Sequence, residues 1–465
     1  MSVNLNDYFN LGLESTNQPI ENAGMINVFR TPVDSSSTNL NRVSFKFPKT
    51  GLLTGDSMIT LQFVLSDSAA ATSNLTPNLV NGAIGAIKRT RILVDNKVLV
   101  DLERPSLPEV VKMYSRNTQV ELSEKEYKLM GNQFKTQTNS DGTEGFNTAE
   151  TRLIQDQSTA AVSFTKNKIL QEATSKVYGI PLKHLGADFL EQSSLPVFLL
   201  GSREIILELE FYSDCREYVV DPSGGAIASD ACKVNLANCE LVSTHISLPA
   251  EVEAQQIESM KKSPVTYPLK DTYLIKGYTN AVTVGADKVE TYRINFQNRE
   301  VHNLLMVAVD NTPASKRITA NQFANSMGDE KLQLKINGLN LFDRPIEKQP
   351  LMYQLTTYSE DGRTMKVPYN AYQVTNKSRL ATKQSTDPLY LDYRGGFHYT
   401  KVDFSNANQG IFGSGTMMKT AAEIDYTHTP SSTAYPNQEV VKDMYFYATI
   451  SKLLTIGANM VNISY

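Results

Sequence analysis

Histidine is the side chain whose ordinary titration falls near neutral pH, so the five histidines are the first place to look for acid–base or metal chemistry. They stand at His184, His245, His302, His398 and His428, and none falls in an HExxH or two-histidine, one-carboxylate spacing. His398, near Asp392 and Asp403, is the best placed to serve as a base or ligand; a strand histidine with a hydrogen-bond partner fits the same residues. Gly410, Gly413 and Gly415 invite a phosphate-loop reading. No Lys-Ser or Lys-Thr pair follows at the required spacing, and no strand-to-helix context surrounds them, so a loop between strands is the better reading. No GxSxG elbow occurs, and the acids are spread too evenly to mark a glycosidase pair. The sequence therefore designates no catalytic, cofactor-binding or metal-binding residue.

Three cysteines, Cys215, Cys232 and Cys239, are an odd number without a CxxC pair or zinc spacing, and read as free thiols. The 22 tyrosines suit either a stacking surface for sugars or bases, or strands and subunit contacts; the second use is favoured.

The elements that would carry these residues are strands. Val43, Phe45 and Phe47 alternate with Ser44 and Lys46, the period-two pattern of a half-buried strand. The pattern recurs at Ile59, Leu61, Phe63 and Leu65; at Ile205, Leu207, Leu209 and Phe211; at Tyr292, Ile294 and Phe296; and at Leu332, Leu334 and Ile336. Glu208, Glu210, Lys331, Gln333 and Lys335 fall between and are expected on the solvent side. Helical signals are short. Ser123 and Glu126 form a capping box ahead of Gly131, and a second helix begins near Ser106 with Pro108 and Glu109 in its first turn. Neither supplies a helical layer, which disfavours folds of alternating strands and helices.

At 465 residues the chain exceeds what one hydrophobic core serves, since cores stop growing at about 250–300 residues. An apolar fraction of 41% and a charged fraction of 20% suffice for folding. A net charge of −4, from 45 basic and 49 acidic residues, lacks the basic excess of a broad phosphate-binding surface, so no sequence-specific nucleic acid partner is expected. The first 24 residues contain Asp7, Glu14 and Glu21 and no basic start with an apolar run, and apolar runs such as 304–309 fall short of the roughly 20 residues that span a bilayer. A soluble chain made in a cytosol is expected.

An internal repeat sets the domain organisation. Residues 92–115 and 334–357 align without gaps at an offset of 242 residues, which puts Ile92 and Val94 on Leu334 and Ile336, and the turn pair Asp95-Asn96 on Asn337-Gly338. Leu99 falls on Leu341, Asp101 on Asp343 and Pro108 on Pro350, with an Arg-Pro pair after each aspartate (Arg104-Pro105, Arg344-Pro345). A second echo lays residues 244–247 on 448–451 at an offset of 204, so the first copy carries a surplus of 38 residues, assigned to loops at 136–151 and 221–225. The expected division is an extended arm at 1–40, a first domain at 41–249, a polar helical linker at 250–265 and a second domain at 266–465.

The stretch Ile87-Lys88-Arg89-Thr90-Arg91-Ile92-Leu93-Val94, followed by Asp95-Asn96-Lys97, is similar to the basic strand and hairpin of the double jelly-roll major capsid proteins. This lineage includes adenovirus hexon, tailless membrane-containing phages, virophages and Polinton-like viruses. Ile180-Pro181-Leu182-Lys183-His184-Leu185, Leu195-Pro196 and the strand at 205–211 resemble the segments that close the first jelly roll of that family, with the virophage and Polinton-like branch the most similar. The resemblance implies an all-β fold of two tandem eight-stranded jelly rolls with a few short helices. It also implies a non-enzymatic shell protein, located in the virion of an icosahedral double-stranded DNA virus and assembled inside the host cell. The implied partners are the chain itself, in a pseudo-hexagonal homotrimer and between neighbouring capsomers, together with penton and minor capsid proteins and an internal membrane or membrane protein; no cofactor is implied. The competing readings are a β-sandwich carbohydrate-binding protein or hydrolase, and a viral spike.

Overall fold

The computed structural model describes residues 26–34, 41–65, 76–77, 81–116, 129–131, 177–191, 194–220, 228–282, 288–296, 299–310, 330–336, 338–346, 399–404, 416–418, 422–428, 440–458 and 460–464. The alternating segments are strands. In the first half, Arg42–Lys46, Ile205–Phe211, Ile87–Val94 and Lys97–Glu103 form a sheet in that order. Facing it is a sheet built on Glu240–Ile246, which pairs with Ile26–Pro32 on one side and with Met58–Leu65 and Leu52–Leu53 on the other. Val177–Pro181 and Cys232–Val234 add to Met58–Leu65. Val43, Phe45, Leu207 and Leu209 from one sheet meet Ile59, Leu61, Phe63 and Leu241 from the other in a buried core.

The second half repeats this order. Lys288–Ile294, Ala422–His428, Glu330–Ile336 and Leu339–Asn340 form one sheet. Val440–Gly457 runs between Val265–Val282 and Arg299–Asp310 in the other, with Tyr399–Asp403 beyond Arg299–Asp310. The first-half series Ile26–Pro32, Glu240–Ile246, Met58–Leu65, Val177–Pro181 is matched strand for strand. Val94 and Ile336 therefore occupy corresponding strands, as the 242-residue offset requires. Tyr292, Ile294, Phe296, Leu332, Leu334 and Phe446 fill a second core.

Both hairpins adopt the turns that their residues suggest. Asp95 and Asn96 have φ values of 50° and 61°, the two positive angles of a type I′ turn, and Gly338 has φ 82° between Ile336 and Leu339. The helix Ser106–Arg116 carries Glu109 in its first turn, where a carboxylate complements the helix dipole. A second helix, Ala250–Lys262, opens with Glu251 and Glu253 and closes with Lys261 and Lys262. Of the helix expected over 123–130, residues 129 and 130 form a turn with Gly131, whose φ is 86°; its first six residues and the surplus loops at 136–151 and 221–225 lie outside the described residues.

Three expectations need correction. Residues 26–32 of the arm are already a seven-residue strand in the sheet built on Glu240–Ile246, because an extended segment satisfies its backbone on a sheet edge without supplying core residues. Gln333 is buried rather than solvent-facing, its amide donating to the Phe342 carbonyl at 2.8 Å. The 204-residue echo identifies corresponding strands but is out of phase by one residue. Leu241, Ser243 and His245 are the buried positions of one strand, whereas the echo aligns the buried Phe446, Ala448 and Ile450 with Val242, Thr244 and Ile246. In a strand a shift of one residue moves every side chain to the opposite face.

Candidate functional site

The described histidines do not converge. His245 is buried, with Nδ1 2.8 Å from the Thr50 carbonyl and Nε2 3.0 Å from Ser243 Oγ; burial lowers its pKa, against the opposing pull of the Thr50 carbonyl. His302 Nε2 lies 2.7 Å from Ser451 Oγ. His428 pairs through its backbone with Lys288 and Glu330. His398, Asp392 and the glycines at 410, 413 and 415 lie outside the described residues. The three cysteines are free and buried, and desolvation raises all three thiols, Cys239 up to about 12, so each is held as an unreactive thiol. Among the described residues no cluster of three or more His, Cys, Asp or Glu can hold a metal ion, and no helix is long and apolar enough to cross a membrane.

The basic strand is fully engaged. Arg89 meets Asp101 with two bonds of 2.7 Å, Lys88 meets Glu210 at 2.5 Å, Arg91 meets Glu208 at 3.2 Å and Lys46 meets Glu204 at 3.2 Å, while Arg42 also reaches Glu208. These exposed or half-buried cross-strand pairs contribute about 1 kcal/mol or less each and favour this order of strands.

Side chains from distant parts of the sequence do converge where the two barrels meet. Lys452 and Asp271 form a buried ion pair of 2.5 Å, and Lys452 Nζ also donates to the Leu99 carbonyl of the first barrel at 2.8 Å. A second chain of bonds begins at the buried His184, which contacts Glu109 on the helix Ser106–Arg116. Lys112 on the same helix lies 3.7 Å from Glu109 and 2.6 Å from Asp188. Thr272 of the second barrel donates to Asp188 at 3.0 Å, and Thr449 Oγ1 lies 3.1 Å from the Thr272 hydroxyl and 3.0 Å from Asn303 Oδ1. Tyr447 donates to the Glu103 carbonyl at 3.2 Å, Arg104 stacks 4.9 Å above the Tyr445 ring, and Arg203 donates to the carbonyls of Gly457 and Ala458. Tyr445 and Tyr447 thus serve contacts between the two barrels. Asp271 and Lys452 stand on neighbouring strands of the second barrel, and the bonds that cross to the first, from Lys452 to the Leu99 carbonyl, from Thr272 to Asp188 and from Tyr447 to the Glu103 carbonyl, would all be broken if the barrels turned on one another, so this seam sets the orientation of one barrel on the other. Its components were hidden in the sequence because Asp271 and Lys452 are far apart along the chain and each reads locally as a surface residue.

No family model matches the sequence, and no curated protein matches it. Solved structures do match over nearly the whole chain. PBCV-1 VP54, fitted into a reconstruction of the virophage Sputnik, aligns with a TM-score of 0.56 at 13% identity, covering 97% of this chain and 98% of its own. The mavirus major capsid protein aligns at 0.55 and 11% identity, covering 97% and 94%, and the Faustovirus major capsid protein at 0.55 and 9%, covering 95% and 92%. The likeness shows the fold, a double jelly roll with few helices, as the tandem repeat implies.

Proposed function

We propose that the chain is the major capsid protein of an icosahedral double-stranded DNA virus, that it has no catalytic site, and that it works by self-association in the virion shell. The observation that carries this reading is the pairing of two topologically equivalent barrels, held at a fixed angle by a buried polar seam, over nearly the full length of three capsid proteins. Two similar barrels per chain give six nearly equivalent sides when repeated about a three-fold axis, and a closed cyclic ring leaves no open aggregating end. The unit is then a pseudo-hexagonal trimer.

Within it, residues 41–249 and 266–465 form the two jelly rolls, 250–265 the linker, and 1–40 the arm, which contributes the strand Ile26–Pro32 to the first barrel and runs along the inner side of the shell. Neighbouring capsomers, penton and minor capsid proteins, and an internal membrane or membrane protein are the partners such a unit meets. Native mass spectrometry of the recombinant chain tests the reading. Three copies of a 51.7 kDa chain weigh about 155 kDa, and obligate contacts should bury above about 2,000 Å² per interface. A chain that stays monomeric at tens of micromolar in every assembly buffer overturns it.

A further inference from the structure

Leu99 and Leu341 occupy matching positions after matching hairpins, yet Leu99 is 1% exposed and Leu341 43%; Leu339, which matches Lys97, is 75% exposed. The difference lies in what covers them. In the first barrel, Lys97–Glu103 lies against the second barrel: Lys452 donates to the Leu99 carbonyl, Lys97 donates to the Val461 carbonyl, and the strand Val265–Val282 runs alongside. Among the described residues Val265–Val282 is an edge strand, paired only with Val440–Gly457. Its counterpart in the first barrel is Ile26–Pro32, likewise an edge strand, paired only with Glu240–Ile246. Ile26 is 66% exposed there and Val28 60%.

Leu339, Ile26 and Val28 are the three most exposed large hydrophobic side chains among the described residues. They sit on the two surfaces whose counterparts touch inside the chain. Exposed apolar groups that cluster at such places mark contacts with another protein.

We propose that the hairpin strand of the second barrel, through Leu339 and Leu341, docks on the edge strand Ile26–Pro32 of a second copy of this chain. This repeats between chains the barrel-to-barrel contact that each chain makes internally. The inference rests on the self-assembly reading above and names its surface. The two patches differ and lie on different barrels, and the contact repeated head-to-tail about a three-fold axis closes into a ring. Arg30, paired with Glu240, and the exposed Asp343 and Arg344 supply the polar rim that surrounds the apolar centre of an interface.

The test uses four forms of the full chain, compared by native mass spectrometry and light scattering: wild type, Leu339→Asp, Val28→Lys, and the two substitutions together. Leu339, Val28 and Ile26 are all exposed, so unchanged melting of the dissociated chain certifies folding, and Ile26→Lys replaces Val28→Lys should that variant melt early. The wild type is expected to form trimers, each single variant to associate at least about 100-fold more weakly, and the double variant to regain most of the loss, since every contact then sets Asp against Lys. Single variants that assemble like an assembling wild type sink the docking contact and leave the capsid reading standing. A double variant weaker than both singles sinks it too, because patches that meet their own kind would then oppose like charges. A wild type that never leaves the monomer overturns the assembly reading and this contact together.

Discussion

Asp271 and Lys452 show what burial does to a charge pair. The Asp271 carboxyl is pushed up to about 7 by loss of hydration, against the opposing attraction of Lys452, with Asp188 and Asp101 adding a smaller upward push. The folded chain therefore holds this proton more tightly than the unfolded chain, whose carboxyl titrates near 3.8. The resulting stabilisation is complete below about pH 3.8 and is lost as pH rises through 7, up to about 4 kcal/mol in all. Asp271→Asn replaces the titrating acid by an uncharged amide. The stability advantage of wild type over this variant should shrink between pH 5 and 8 in urea denaturation; parallel curves would show that the carboxyl does not titrate in that window. Lys452→Met strands the carboxylate and leaves the Leu99 carbonyl without its ammonium donor. It should cost about 3–5 kcal/mol at pH 8 and less at pH 5, where the proton neutralises the acid.

Strands and hairpins were legible in the sequence because each has a local requirement. Alternation placed Phe45, Leu207 and Ile294 in cores, and Asp95-Asn96 and Asn337-Gly338 specified turns that need positive φ. A Cβ on Gly338 would meet nothing within 4 Å, so the cost of Gly338→Val is backbone strain alone, about 1 kcal/mol by thermal melting. An unchanged midpoint would mean that the turn relaxes. The seam was illegible for the opposite reason. Val265–Val282 and Val440–Gly457 are 18 residues long, well beyond the common length of a strand, and run from the second core to the first barrel. Along them the faces change neighbours: Phe446 and Ile450 enter the second core, whereas Lys452 meets the first barrel and Leu454 joins its core. A register shift between Leu274 and Lys276 re-aims the paired strand. No local pattern announces where a strand leaves one core for the next.

At the scale of the whole molecule the two barrels are two by topology and one by packing. The larger hydrophobic cluster includes Val43, Leu61 and Leu209 from the first barrel and Leu305, Val307 and Tyr447 from the second, with Leu454 and Ile456 joining it along the seam. Separating the barrels would expose Leu305, Val307, Tyr447, Leu454 and Ile456 together with the Asp271–Lys452 pair and Asp188, whose bonds cross or border the seam. Neither half has a compensating surface to bury, so neither is expected to be stable without the other. Calorimetry of the full chain should therefore give a single transition, with the calorimetric and van't Hoff enthalpies in agreement. Lys452→Met should move that transition downward as a unit. Residues 266–465 expressed alone should be insoluble or partly folded, because Leu305, Val307 and Tyr447 would then face water. Two resolved transitions in the full chain, or a soluble second half with a sharp melt of its own, would show that the seam joins two independently stable barrels.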